Sequence, residues 1–243
     1  MSEAKAPPPG DPLDAADEEL TRGVDEAMAE AVRRAGALFG CGPGRTDCCL
    51  GPFPVNLLDA RRLQRGLLAL GATDAARARA VHLRAAEAVA RLSASFPGDA
   101  ETGLLGGDEE AEERFCAAHA GEPCPALDPE SGRCDVYEWR PLACRTLGPP
   151  VRIGGVDLPP CPFCFAAATP ARLERCRAHP DPAGREDALV EALEERLHRR
   201  GETLVAFALA GRPDAARWPV AGRRSLGGGN PGSGLPTRNL RPG

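Results

Sequence analysis

The chain has 243 residues, 42% hydrophobic and 27% charged, with a net charge of −5. That is long enough for one sizeable domain with tails. Its longest apolar run, around Leu204 to Ala210, falls far short of the roughly 20 residues needed to cross a bilayer, and the opening residues hold no apolar leader. Neither a membrane protein nor an exported one is expected, and the acidic balance makes nucleic-acid binding an unlikely role.

Residues 1–15 are small, acidic and Pro-rich, and read as a disordered tail. A helix is expected from about Asp17 to Leu38, because Leu20, Val24, Met28, Ala31 and Val32 recur at helical spacing. The next stretch, Cys41 to Pro54, is dense in Gly, Pro and Cys and reads as a loop. Asn56 is placed to cap a second helix over Leu57 to Leu70, with Gly71 as its stop. Thr73 or Asp74 starts a third, running to about Leu92. A short acidic helix covers Glu109 to His119. Asp128-Pro129-Glu130-Ser131-Gly132 is a turn signal that brings Cys124 and Cys134 together on two short arms. Glu138 to Thr146 holds one or two helical turns. Val151 to Leu158 alternates around Gly154-Gly155 as a hairpin does. Helices are expected over Pro170 to His179 and Glu186 to Ala210, and residues 211–243 read as a disordered Arg/Gly/Pro-rich tail. The fold class is therefore mainly α, one small domain over residues 16–210 with irregular Cys-rich loops and a hairpin, organised around a metal site.

Ten cysteines are the outlying feature. In a chain with no export signal the count points to metal binding rather than disulfides, with buried core thiols as the plain alternative. Eight fall into groups: Cys41, Cys48 and Cys49; Cys124, Cys134 and Cys144; Cys161 and Cys164. Cys116 and Cys176 stand apart on expected helices. Cys161-x-x-Cys164 has the spacing of a metal knuckle. Neighbouring side chains such as Cys48 and Cys49 diverge, so they reach two metals of a cluster more easily than one ion. This favours an iron–sulfur cluster or another polynuclear site over a single zinc; the cofactor expected is a 4Fe–4S cluster, with zinc as the alternative. Seven aromatics lie within five residues of a cysteine, so the thiol loops are expected to be packed. Of the histidines only His119 is near enough in sequence to be considered as a ligand.

The string Cys124-Pro125, then Cys134-Asp135-Val136-Tyr137-Glu138-Trp139-Arg140-Pro141-Leu142-Ala143-Cys144-Arg145, resembles the YkgJ-like cysteine-cluster family. Its earlier motif, ending in a Cys-Cys pair, corresponds here to Cys41 and Cys48-Cys49. The resemblance spans about residues 41–164 and implies a zinc- or iron-chelating domain. The chain departs from the family's Cys-x-x-Cys-x-x-Cys-Cys pattern, since six residues separate Cys41 from Cys48 and at least one family cysteine is absent. Cys161 or Cys164 is the expected replacement.

A set of thiolates carries excess negative charge, and Arg140 and Arg145 flank Cys144 where they can donate to sulfur. Glu138 is placed to hold Arg140, and Tyr137 to pack over the cofactor or donate its hydroxyl. The sequence has no phosphate-binding loop, no G-x-S-x-G and no H-E-x-x-H. Its only Lys, Lys5, lies in the N-terminal tail. Three roles stay open: a cytoplasmic metal-binding protein folded around its centre; a redox or protein-modifying enzyme, because a flagellin lysine-N-methylase is a relative with a similar cysteine set; and a metal carrier or adaptor. Residues 1–30 carry nine acidic and two basic side chains and residues 212–243 six Arg and one Asp, so a protein partner could be met through these tails.

Overall fold

In the computed structural model, which describes residues 11–42, 45–165 and 167–211, helix α1 (Pro12–Ala35) begins where the Asp11 carboxylate accepts from the Leu13 N–H at 3.1 Å. Pro12 fills the first turn, where its missing N–H costs nothing. The helix thus starts inside the stretch expected to be unstructured, while residues 1–10 and 212–243, the rest of both expected tails, lie outside the described residues. Leu20, Val24, Met28 and Ala31 form its buried stripe.

Asn56 caps α2 (Leu57–Thr73) as its position implied, accepting from the Asp59 N–H at 2.9 Å. Gly71 does not end this helix. A glycine costs a helix only about 1 kcal/mol, and the turn is completed by the Asp74 N–H on the Leu70 carbonyl at 2.6 Å. Asp74 then accepts from the Arg77 N–H at 3.0 Å and opens α3 (Ala75–Leu92). Four shorter helices follow: α4 (Glu109–Ala118), α5 (Leu142–Arg145), α6 (Pro170–Cys176) and α7 (Arg185–Leu197).

The expected long helix over 186–210 breaks. α7 closes at His198, which takes a left-handed φ of 51°, and the chain then runs through strand β6 (Glu202–Leu204) into α8 (Val205–Leu209). The reason lies in residues far away in sequence: β6 pairs antiparallel with β1 (Pro54–Asn56), Val55 opposite Thr203. All of Thr203–Leu209 is buried, so no exposed face existed to mark the break by periodicity. Among the described residues two other antiparallel strand pairs form, β2 (Gly98–Asp99) with β3 (Leu104–Leu105), and β4 (Val151–Ile153) with β5 (Val156–Leu158). The latter is the expected hairpin, turned by Gly154 and Gly155 at φ 56° and 80°, values that glycine adopts without strain. Among the described residues, no helix is long and apolar enough to cross a membrane.

Two parts of the core matter for the thiols. Leu20, Leu57, Leu58, Leu142 and Leu193 join α1, α2, α5 and α7. Val55, Leu63, Val81, Ala126, Val136 and Leu209 join α2, α3 and α8 to the loops that carry Cys124 and Cys134. Between helices sits a buried ion group. Arg62, only 2% exposed, donates to both Asp17 and Asp59. A buried guanidinium is tolerated only when paired in this way. Trp139 lies so close over α2 that a Cβ at Gly66 would stand 2.5 Å from its Cβ. Gly66→Ala is therefore expected to cost about 1–3 kcal/mol through overpacking, read as a lower denaturant midpoint. An unchanged midpoint would show that the segment around Trp139 moves freely off α2.

Candidate metal centre

Three chain segments deliver five thiols to one place, and backbone hydrogen bonds fix how they meet. The turn Asp47–Cys49 is closed by the Cys49 N–H on the Thr46 carbonyl at 2.8 Å. The Cys124 N–H then donates to the Cys49 carbonyl at 2.8 Å, the Gly51 N–H to the Glu122 carbonyl at 2.8 Å, and Leu50 bridges Pro123. These contacts make 49–51 and 122–124 a short antiparallel pair that sets Cys49 beside Cys124. The turn over 128–132 acts as its sequence indicated. The Asp128 N–H meets the Arg133 carbonyl at 2.8 Å, the Asp135 N–H meets the Ala126 carbonyl at 2.7 Å, and Gly132 takes φ 65°. Cys134 is thereby folded back beside Cys124.

Charged side chains from the helices hold this loop in place. Asp135 accepts from Arg77 and, at 2.5 Å, from Arg84, which also donates to the Pro125 carbonyl at 2.9 Å. Cys144 rides on α5, whose first free N–H, that of Leu142, donates to the buried Asp59 carboxylate at 3.0 Å. Asp59 thus links the ion group under α1 and α2 to the helix that carries a thiol. Burial pushes its carboxyl above the usual range, while Arg62 and the Leu142 N–H pull it down. None of Asp59, Arg77, Arg84 and Asp135 stood out in the sequence. They are ordinary helix and loop charges whose partners lie far along the chain.

The thiols act on one another. Burial, with the charges of Cys124 and Cys134 next, pushes Cys144 up to about 12. Burial pushes Cys124 up to about 11, with Cys134 adding to it. Cys134 is also raised, by burial first. In the vicinal pair, a hydrogen bond from the Cys49 thiol lowers Cys48 to about 6, and Cys49 itself is raised by that same bond, by burial and by the charges of Cys48, Cys124 and Cys134. Backbone donors oppose the repulsion: the Ala126 and Leu127 N–H groups point at the Cys124 sulfur and the Val136 N–H at that of Cys134.

Arg140 lies near the thiols without an observed hydrogen bond to sulfur. Its charge reaches Cys48, Cys134 and Cys144. Its guanidinium lies 3.6 Å over the Tyr137 ring, and its Nε donates to the Tyr137 carbonyl at 2.8 Å. That carbonyl, rather than the Glu138 carboxylate, is the hydrogen-bond partner found for Arg140. Arg145 is buried; its donors go to the Arg140 carbonyl at 3.1 Å, the Glu138 carbonyl, and Asp25 of α1 at 2.5 Å. It ties the 138–140 backbone to α1. His119 is placed against Ser95, at 2.9 Å, and Phe115. Cys116 and Cys176 lie on α4 and α6 as expected, in apolar surroundings.

The remaining three thiols form a group of their own. Cys164 packs against Ala35 at the end of α1 with Cys161 beside it, and burial, then Cys161 and Cys41, push its thiol up to about 11. All ten cysteines are free. As the side chains stand, no three or more His, Cys, Asp or Glu among the described residues close on one point as an ion's ligands would.

Residues 41–151 match one family model, "CxxCxxCC: Putative zinc- or iron-chelating domain". This segment resembles a CxxCxxCC domain. The resemblance read from the Cys124–Arg145 string is thereby borne out, and metal binding is the general property that goes with it. No curated protein and no solved structure matches the chain. The donor set of the CxxCxxCC domain fits the metals its description names: soft thiolates suit zinc and iron–sulfur centres, and the N–H groups aimed at two of the sulfurs suit the ionised form. Arg140→Gln is expected to speed metal loss to a chelator about 10–100-fold while leaving apo-protein stability within about 0.5 kcal/mol. Equal loss rates in a chelator competition assay would remove Arg140 from the centre's surroundings.

Proposed function

We propose that the CxxCxxCC domain holds an iron–sulfur centre, 4Fe–4S in preference to a lone zinc, through Cys49, Cys124, Cys134 and Cys144, with Cys48 as a fifth thiol at its margin. The carrying observation is the mutual charge among these thiols, brought from three segments and pinned by backbone bonds. Four thiolates complete the ligand set of either metal form. The vicinal pair favours a polynuclear body, because with it five thiols stand at the centre, one more than a lone zinc takes. When bound, the group supplies electrostatic cross-linking of the loops and, as a cluster, a site for one-electron transfer.

The chain's own residues do the rest. The N–H groups of Ala126, Leu127 and Val136 offset the charge on sulfur. Arg140 adds a full positive charge beside three of the thiols. Ligation contributes to folding, since thiols that repel one another are brought to a common cation only in the native state. This reading makes the protein a metal-binding one in a reducing, cytoplasmic compartment, where its thiols stay free.

Protein purified without oxygen is expected to show broad visible absorption, with iron and acid-labile sulfide in comparable amounts, and Cys144→Ser to lose both. A colourless protein with one zinc per chain and no sulfide would overturn the iron–sulfur assignment. Full metal retention in Cys144→Ser would overturn the ligand set.

A further inference from the structure

We propose that Cys41, Cys161 and Cys164 form a second metal site, separate from the five-thiol centre, that takes one thiophilic cation such as zinc. The sequence expectation was that these thiols would complete a single site. Instead they are gathered at the far end of α1 by contacts of their own. The Cys164 N–H closes on the Cys161 carbonyl at 3.0 Å, which forms the knuckle turn of the C-x-x-C segment. The Cys161 N–H donates to the Gly148 carbonyl at 2.9 Å, anchoring the knuckle to the chain that leaves α5.

The third thiol is delivered from the opposite direction. The Phe163 carbonyl lies 3.8 Å from where a Cβ at Gly40 would stand, and the Phe39 ring packs so closely on Gly148 that a Cβ there would be 2.7 Å away. Residues 39–40 are therefore seated on the knuckle from both sides, and Cys41 is the next residue. Leu38 and Phe39 pack in one apolar cluster with Cys161, Cys164, Phe165 and Cys176. That cluster gives the site a dry wall.

The chemistry follows from the donors. Cys164 is buried, Cys161 half-buried and Cys41 exposed. Two thiols are thus held by the fold, while the third sits on a loop where rotation about χ1 can swing its sulfur in to close the set. Three thiolates bind a soft cation and leave one coordination position of zinc open to water or another ligand. The C-x-x-C segment also lies beyond residue 151, where the match to the CxxCxxCC domain ends, so that domain has no claim on two of the three thiols.

The test is zinc uptake by the full-length, reduced, metal-stripped chain, counted by equilibrium dialysis. Cys41→Ser and Cys161→Ser are each expected to remove one zinc, or weaken its binding by more than about tenfold. Cys134→Ser should leave that same zinc in place. Cys41 is exposed, so its serine variant tests the site even if a change at buried Cys164 unfolds the end of α1; circular dichroism checks the fold of each variant. Zinc uptake indifferent to both Cys41→Ser and Cys161→Ser would overturn the second site. So would one shared zinc lost equally in Cys41→Ser and Cys134→Ser, which would return all eight thiols to a single centre. Loss of iron and sulfide in Cys144→Ser bears only on the five-thiol centre.

Discussion

Thiols that sit within reach of one another's charge cannot all ionise unless something positive stands among them. Cys49, Cys124, Cys134 and Cys144 each carry a raised thiol, and in three of them the neighbouring sulfurs are among the causes. Cys134 is raised by burial first. Such a group is a liability in an apolar loop and an asset around a metal. Much of the remaining structure serves to hold it together: the 49–51 and 122–124 pairing, the turn over 128–132, and α5 tied down by Asp59. Without those bonds the thiols would separate.

The scaffold fastens these loops to the helices with buried charge rather than apolar contact alone. Asp135 takes two guanidinium groups from α3, Arg145 reaches from α5 to α1, and Arg62 joins Asp17 to Asp59. Of these, the Arg62 group is buried throughout, so breaking one partner out of it leaves an uncompensated buried charge, worth several kcal/mol. The thiol loops therefore share the stability of the helices beneath them.

Local signals in the sequence were read well. Asn56 caps α2, Gly154-Gly155 turns the hairpin, and the Asp128–Gly132 turn brings Cys124 to Cys134, because each depends on a few adjacent residues. What escaped depends on distant partners. The break after α7 exists because β6 needs β1, and Gly71 was overruled by the Asp74 cap. At the centre, the Cys124–Arg145 string revealed the family resemblance. That residues 39–40 pack against the 161–164 segment stayed hidden, since three cysteines within nine residues read as one motif whatever lies far along the chain.

The central claim is that sulfur alone surrounds the metal of the five-thiol centre. X-ray absorption at the iron edge of protein purified without oxygen, recorded for the wild type and for Cys134→Ser, tests it most directly. The account predicts a first shell made only of sulfur at about 2.3 Å in the wild type, and a markedly depleted iron signal in the variant. A first shell dominated by oxygen or nitrogen, or an unaltered spectrum in Cys134→Ser, would contradict it.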